Sequence, residues 1–127
     1  MTRTEVQAWL DRYIDAWRSH EAEPIAALFT PDAVYGYRPW QRDEVTIRGR
    51  DAIVAAWLGT VDPPGWEARY EPYAVEDDRA VAVGTSHYPA TEDQPQQTFH
   101  NAFLLRFADD GRCAEYTEFY MLESPRD

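Results

Sequence analysis

The stretch Gln96–Leu122, QQTFHNAFLLRFADDGRCAEYTEFYML, decides the reading of this chain. It is two long arms rich in aromatic and apolar residues, joined by Ala108-Asp109-Asp110-Gly111-Arg112, and an Asp-Asp-Gly cluster between two such arms is hairpin chemistry. Side chains alternate across a strand, so Phe99, Asn101, Phe103, Leu105 and Phe107 share one face of the first arm. Tyr116, Glu118 and Tyr120 share one face of the second, which puts an acid between two tyrosines. Both faces of each arm are apolar, so the hairpin needs helices on one side and a further cover on the other, for which a second copy of the chain is the expected partner. The expected outer set is Ala102, Leu104, Cys113, Phe119 and Met121, a patch that a monomer would leave in water.

Upstream, the chain has room for one domain, residues 1–127, with a single core. Thr4-Glu5-Val6-Gln7 has the form of a capping box, and Val6, Trp9, Leu10, Tyr13, Ile14 and Trp17 recur at helical spacing, predicting a helix from Glu5 to about His20. Pro24 suits the first turn of a short second helix ending near Phe29. Ala33–Trp40 reads as a strand with Tyr35 and Tyr37 on one face, Gln41–Ile47 as an irregular strand or arm, and Asp51–Leu58 as a third helix closed by Gly59. Strands are expected at Trp66–Val75 and Arg79–Tyr88, around a turn at Asp77-Asp78. Helices interleaved with one short strand, followed by four strands, make an α+β fold on an antiparallel sheet.

A net charge of −11 argues against nucleic acid and anionic membranes as partners, because both are bound through Lys and Arg. No apolar run reaches the roughly 20 residues that span a bilayer. The start, Met-Thr-Arg-Thr-Glu, lacks the apolar centre of a signal peptide, and one cysteine forms no internal disulfide, so a cytoplasmic protein is expected. Three scattered histidines give no metal-ligand spacing, and the six glycines are isolated, so neither a metal nor a nucleotide cofactor has a visible seat.

The order of elements, with Ala26-Ala27-Leu28-Phe29-Thr30-Pro31-Asp32-Ala33-Val34 after the first helix and Asp110-Gly111-Arg112-Cys113-Ala114-Glu115-Tyr116-Thr117-Glu118-Phe119-Tyr120 near the end, resembles the SnoaL-like branch of the nuclear transport factor 2-like superfamily. The resemblance implies a cone-shaped fold, in which a curved sheet wraps the long first helix around a deep pocket, with dimerisation through the sheet's outer face. Such proteins include isomerases, cyclases, dehydratases and hydrolases that use no cofactor, and fold alone does not choose among them. Set beside ketosteroid isomerase, Tyr13 falls at the oxyanion-binding tyrosine. Tyr37 stands where the catalytic base would be, and Phe103 where a protonated aspartate would be. That mechanism is therefore not expected.

The same resemblance points Thr85, His87, Asn101, Tyr116, Glu118 and Tyr120 into the cone. A carboxyl among aromatics is pushed up by desolvation unless a cation counters it, which suits Glu118 to proton transfer, with His87 as its catalytic partner. A one-residue slip would instead bring Glu115 and Thr117 inward and turn Tyr116 and Tyr120 out. Tyr13, Tyr37 and Asn101 can donate to a carbonyl or enolate oxygen. Trp17, Trp57, Phe103, Tyr116 and Tyr120 complete the expected substrate-binding wall, while Trp9 and Trp40 are core or wall, and Asp32 fixes a turn. The expected function is acid/base chemistry on a small hydrophobic carbonyl or hydroxyl compound. The other reading is a non-catalytic dimeric module whose pocket binds a ligand or is filled by Trp17, Trp57 and Phe103.

Overall fold

A computed structural model describes residues 1–37, 40 and 46–124. The first helix, α1, spans Arg3–Ser19, two residues earlier than its expected start, and Thr2 is its N-cap. Thr2 Oγ1 accepts from the Glu5 N–H at 3.1 Å, and the Glu5 carboxylate accepts from the Thr2 N–H at 2.9 Å. A carboxylate at this position satisfies an orphan donor and also meets the positive end of the helix dipole, which a Gln cannot do. Gln7 turns its amide to other uses and donates to the Tyr70 carbonyl at 3.1 Å. At the far end His20 takes the left-handed conformation that closes the helix.

Helix α2, Ala22–Ala26, carries Pro24 in its first turn; β1 is Phe29–Gly36, β2 is Ile47–Arg48, and α3 is Arg50–Leu58. The remaining strands are β3, Glu67–Glu76; β4, Arg79–Tyr88; β5, Gln97–Phe107; and β6, Cys113–Leu122. Most of the expected arm Gln41–Ile47, and the loop at Pro39, fall outside the described residues. No helix among the described residues is long and apolar enough to cross a membrane.

Six strands form one curved sheet in the order β2-β1-β6-β5-β4-β3. Every ladder is antiparallel except that between β1 and β6, which is parallel and starts where the Cys113 N–H donates to the Leu28 carbonyl at 2.8 Å. The last hairpin has the expected parity. Asn101 stands opposite Tyr120, Phe103 opposite Glu118 and Leu105 opposite Tyr116, and Gly111, at φ 86°, makes the turn. Phe103, Leu105, Phe107 and Tyr116 are buried on the concave side against Val6, Trp9, Leu10 and Tyr13 of α1.

Two facings differ from the sequence reading. In β4 the buried residues are Ala80, Ala82 and Ser86, so Thr85 and His87 lie on the outer side, where His87 Nδ1 bonds the Thr98 hydroxyl at 2.8 Å. The run Ala80-Val81-Ala82-Val83-Gly84-Thr85-Ser86 is small on both sides, so alternation carries no parity there. Cys113 is wholly buried rather than on the outer patch, because a register shift between Arg106 and Phe107 turns it into the core. Burial pushes its thiol up to about 12.

Gly84 allows a close approach of β3 to β4. A Cβ there would overlap the Arg69 carbonyl and the Tyr70 ring, so its absence lets Tyr70 lie over β4 and face inward.

Candidate active site

Between the concave side of the sheet, α1 and α3 lies a cavity of about 340 Å³. That size is within the roughly 300–1,000 Å³ usual for small-molecule sites. Tyr13 and Trp17 come from α1, Trp57 from α3, and Glu118 from β6. Tyr35 and Tyr37 arrive from β1 and the residue after it, Tyr70 from β3 and Tyr88 from β4. Phe103 does not fill the space; it packs edge-on to Tyr70, ring centroids 4.8 Å apart, behind the wall.

Three phenols are layered on one side of the cavity. The Tyr35 and Tyr116 rings stack at 4.2 Å and 4°, Tyr13 lies beyond Tyr116 at 5.9 Å and 15°, and the Tyr13 and Tyr116 hydroxyls are 2.9 Å apart in a hydrogen bond that either can donate. Burial, followed by the charge of Glu118, pushes the phenols of Tyr35, Tyr70 and Tyr116 up. Burial does the same for Tyr13, with Tyr35 and then Glu118 adding to it. These groups therefore stay neutral donors across the physiological range.

Glu118 reaches the same space from the strand beside Asn101. One carboxylate oxygen accepts from the Asn101 amide at 3.0 Å, and Asn101 Oδ1 in turn accepts from the Ser86 hydroxyl at 3.1 Å. The chain Ser86–Asn101–Glu118 fixes the acid with neutral donors only. No Lys, Arg or His among the described residues pairs with it. Desolvation therefore outweighs the Asn101 bond and raises its carboxyl to about 7.

At the mouth, the Trp17 indole N–H donates to the Asp62 carboxylate. The other side of Trp17 stacks on Trp66 at 3.9 Å, and the Arg18 guanidinium lies over Trp66 at 4.2 Å. The Trp57 indole N–H is buried at the cavity wall beside the Tyr35 hydroxyl, and among the described residues it makes no well-formed hydrogen bond.

Of the residues singled out from sequence, Glu118, Tyr13, Trp17, Tyr37 and Trp57 line the cavity, while Asn101, Phe103 and Tyr116 stand directly behind it. Tyr120 keeps their parity but lies past the end of the cavity, 47% exposed and edge-on to Phe99. His87 is on the opposite face of the sheet from Glu118, so the two are not brought together. Trp9 is core and donates to the Leu28 carbonyl at 3.1 Å, Trp40 is exposed, and Asp32 accepts from the Thr30 hydroxyl at 3.1 Å. Tyr35, Tyr70, Tyr88, Ser86 and Asp62 were not anticipated. A glycine at the centre of β4 was the available signal for Tyr70, since it marks a close approach.

A larger concavity, about 700 Å³, lies on the outer face between Arg48, Val81, Leu104 and Thr117. Its Arg106–Glu115 pair, 3.2 Å apart, is solvated, and no buried acid opens on it.

The sequence pattern of the SnoaL-like domain matches residues 10–116. The chain belongs to the SnoaL-like domain family. Among solved structures, this SnoaL-like chain is similar to an NTF2-like protein of unknown function from Burkholderia pseudomallei, with 16% identity, a TM-score of 0.71, and coverage of 95% of this chain and 92% of the other. An LEH-like epoxide hydrolase from M. tuberculosis superposes with a TM-score of 0.67 at 13% identity, covering 94% and 84%. A ketosteroid isomerase-like protein from Erwinia carotovora atroseptica gives 0.66 at 19% identity, covering 97% of each chain. At these identities the likeness establishes the SnoaL-like fold alone. No curated protein matches the chain.

Proposed function

We propose that this SnoaL-like chain is a cofactor-independent acid/base enzyme, one that moves a proton on a small hydrophobic compound bearing a carbonyl group. The observation that carries the reading is Glu118, an acid at about 7 on the wall of an aromatic cavity, held by a single neutral donor. A base poised near the working pH combines a usable deprotonated fraction with a real driving force for proton abstraction. In the step we envisage, the Glu118 carboxylate takes a proton from the carbon next to the carbonyl. The electron pair of the broken C–H bond moves onto the carbonyl oxygen, and a phenol of the Tyr13–Tyr35 layer donates to the resulting enolate. Return of the proton to a different carbon gives isomerisation, and loss of a leaving group from the enolate gives elimination.

The test is hydrogen–deuterium exchange at the α-carbon of simple aryl and cyclic ketones in D2O, followed by NMR. Exchange catalysed by the parent and lowered by about 10²-fold or more in Glu118→Gln supports the reading. Exchange no faster than in buffer across the series overturns it and favours a ligand-binding module. The layer of Tyr13, Tyr35 and Tyr116 is the feature that would serve such a module equally well, since buried phenols position a ligand without changing it.

We further propose that the outer face of β5 and β6 pairs with a second copy of the chain. Leu104, Phe119 and Met121 are 46%, 42% and 72% exposed there, and cross-strand pairing of Ala102 with Phe119 makes the surface continuous.

A further inference from the structure

We propose that the compound taken up by this cavity carries a cationic nitrogen, a quaternary ammonium or protonated amine, seated among the aromatic rings between Asp62 and Glu118. The inference rests on the small-molecule reading above and narrows it to a class of ligand.

Three observations converge on it. Seven of the fourteen residues lining the cavity are Tyr or Trp and two are acids, none is Arg or Lys, and the one basic group, His20, is tied to the Leu58 carbonyl at 3.1 Å. Rings present negative faces, and a cation enclosed by several of them is attracted to each. Both acids line the cavity, Asp62 half-buried beside Trp17 and Glu118 beside Asn101, and each has only one oxygen engaged by a neutral donor. The second oxygen of each has no hydrogen-bond or ion-pair partner among the described residues. Finally, the chain already uses this recognition at the rim, where the Arg18 guanidinium lies over Trp66 and Trp66 stacks on the cavity-lining Trp17. A net charge of −11 favours the approach of a cation and opposes that of an anion.

A cation in this place would also settle the protonation of Glu118. The groups that face the acid are Tyr13 from α1, Tyr35 from β1, Tyr70 from β3, Tyr88 from β4, Asn101 from β5 and Tyr116 from its own strand, and the other titratable groups of the cavity are Asp62, Tyr37 and His20, the last at the end of α1 on the Leu58 carbonyl. A phenol is neutral or anionic and never cationic, so none of these tyrosines supplies a counter-charge to the carboxylate. A bound ammonium supplies one, so it binds the ionised form of Glu118 more tightly, and affinity rises as pH passes through about 7.

The test uses three probes of one shape: benzyltrimethylammonium, its uncharged carbon isostere neopentylbenzene, and the anion phenylmethanesulfonate. Binding is read by calorimetry and by quenching of tryptophan fluorescence, with the full chain, its Glu118→Gln variant and the Asp62→Asn/Glu118→Gln double variant. The expected result is that the cation binds at least about tenfold tighter than the isostere, that the anion fails to bind, and that the preference disappears in the double variant while the isostere's affinity holds. Retained isostere binding shows at the same time that the variants are folded. In Glu118→Gln the rise of cation affinity through neutral pH should vanish. Equal binding of cation and isostere, or preference for the anion, overturns this inference and leaves the carbonyl-enzyme reading standing. Failure of all three probes at millimolar concentration overturns the small-molecule reading together with it.

Discussion

Glu118 accepts a hydrogen bond from Asn101, its diagonal neighbour across the β5–β6 ladder, at 3.0 Å, and among the described residues this neutral amide is the only hydrogen-bond partner its carboxylate has. The pairing places an ionisable group where its charged form is poorly solvated. Raised to about 7 from an ordinary 4.5, the carboxyl keeps its proton in the folded state over a range where the unfolded chain has lost it. The folded state then binds more protons than the unfolded state, so stability falls as pH rises from about 4.5, and the loss is complete above about 7. The loss is on the order of 3 kcal/mol, reduced by whatever water the cavity holds near the carboxylate. Glu118→Gln removes the charge and keeps an oxygen for Asn101 to donate to. At about pH 8 the variant should melt several degrees above the parent, at roughly 2–4 °C per kcal/mol, and near pH 4.5 the two should coincide. A variant that melts lower than the parent at both pH values would identify the carboxylate as a structural group.

Asn101→Ala tests the other half of that contact. Asn101 lowers the Glu118 carboxyl against the stronger upward push of burial, so its removal should move the acid further up. It also takes the acceptor from the Ser86 hydroxyl, which is buried, and an unmet buried donor costs about 1–3 kcal/mol. Carbon-13 titration of the labelled Glu118 carboxyl should show a midpoint above 7, together with lower stability at every pH. A midpoint that moves downward would mean that another donor replaces Asn101.

The hairpin and its inward acid were legible because Phe99–Phe107 and Tyr116–Tyr120 put large aromatics at one parity, so a single facing satisfies both arms. The facing of β4 was not, since Ala80–Ser86 offers residues of similar size to both sides and His87 at its end went to the outside. The remainder of the cavity was hidden for another reason. Tyr35, Tyr70 and Tyr88 meet only because β1 joins the sheet beside β6 and β3 lies at its far edge, and no residue pattern encodes strand order. Asp62 precedes Pro63-Pro64 and looks like loop chemistry until Trp17 is seen to donate to it. At the first helix, local rules named the right device two residues late, because Thr4-Gln7 and Thr2-Glu5 both fit the pattern and only the second pairs a hydroxyl with a charge.

Gly84 links the sheet to the cavity wall. A methyl at this position would press on the Arg69 carbonyl and the Tyr70 ring, so Gly84→Ala should part β3 from β4 or drive Tyr70 from its place. Overpacking of this sort costs about 1–3 kcal/mol. Tyr70 packs edge-on to Phe103 and lines the cavity, so the cost should come with altered ligand affinity as well as a lower melting temperature. The distinguishing variant is Tyr70→Phe, which keeps the ring and loses only the hydroxyl. Gly84→Ala should disturb near-ultraviolet circular dichroism and Tyr70→Phe should leave it almost unchanged. Equal spectra and equal stability for Gly84→Ala and the parent would mean that the strands separate at no cost, contrary to this account.

The outer face of the hairpin gives the prediction about assembly. Leu104 and Phe119 are diagonal neighbours on adjacent strands, two residues apart in register, Met121 continues the surface, and a concavity of about 700 Å³ borders Leu104. Exposed apolar residues scattered singly mean nothing, but a contiguous set on the flat of a sheet loses free energy to water that a second copy would recover at about 25 cal/mol per Å² covered. Sedimentation equilibrium at micromolar concentration should return twice the mass of the chain. Leu104→Asp places a charge at the middle of the buried surface and should shift the equilibrium to monomer, with little effect on a cavity that lies on the other side of the sheet. A parent that sediments as monomer throughout the micromolar range would sink the pairing and leave the patch for a different partner.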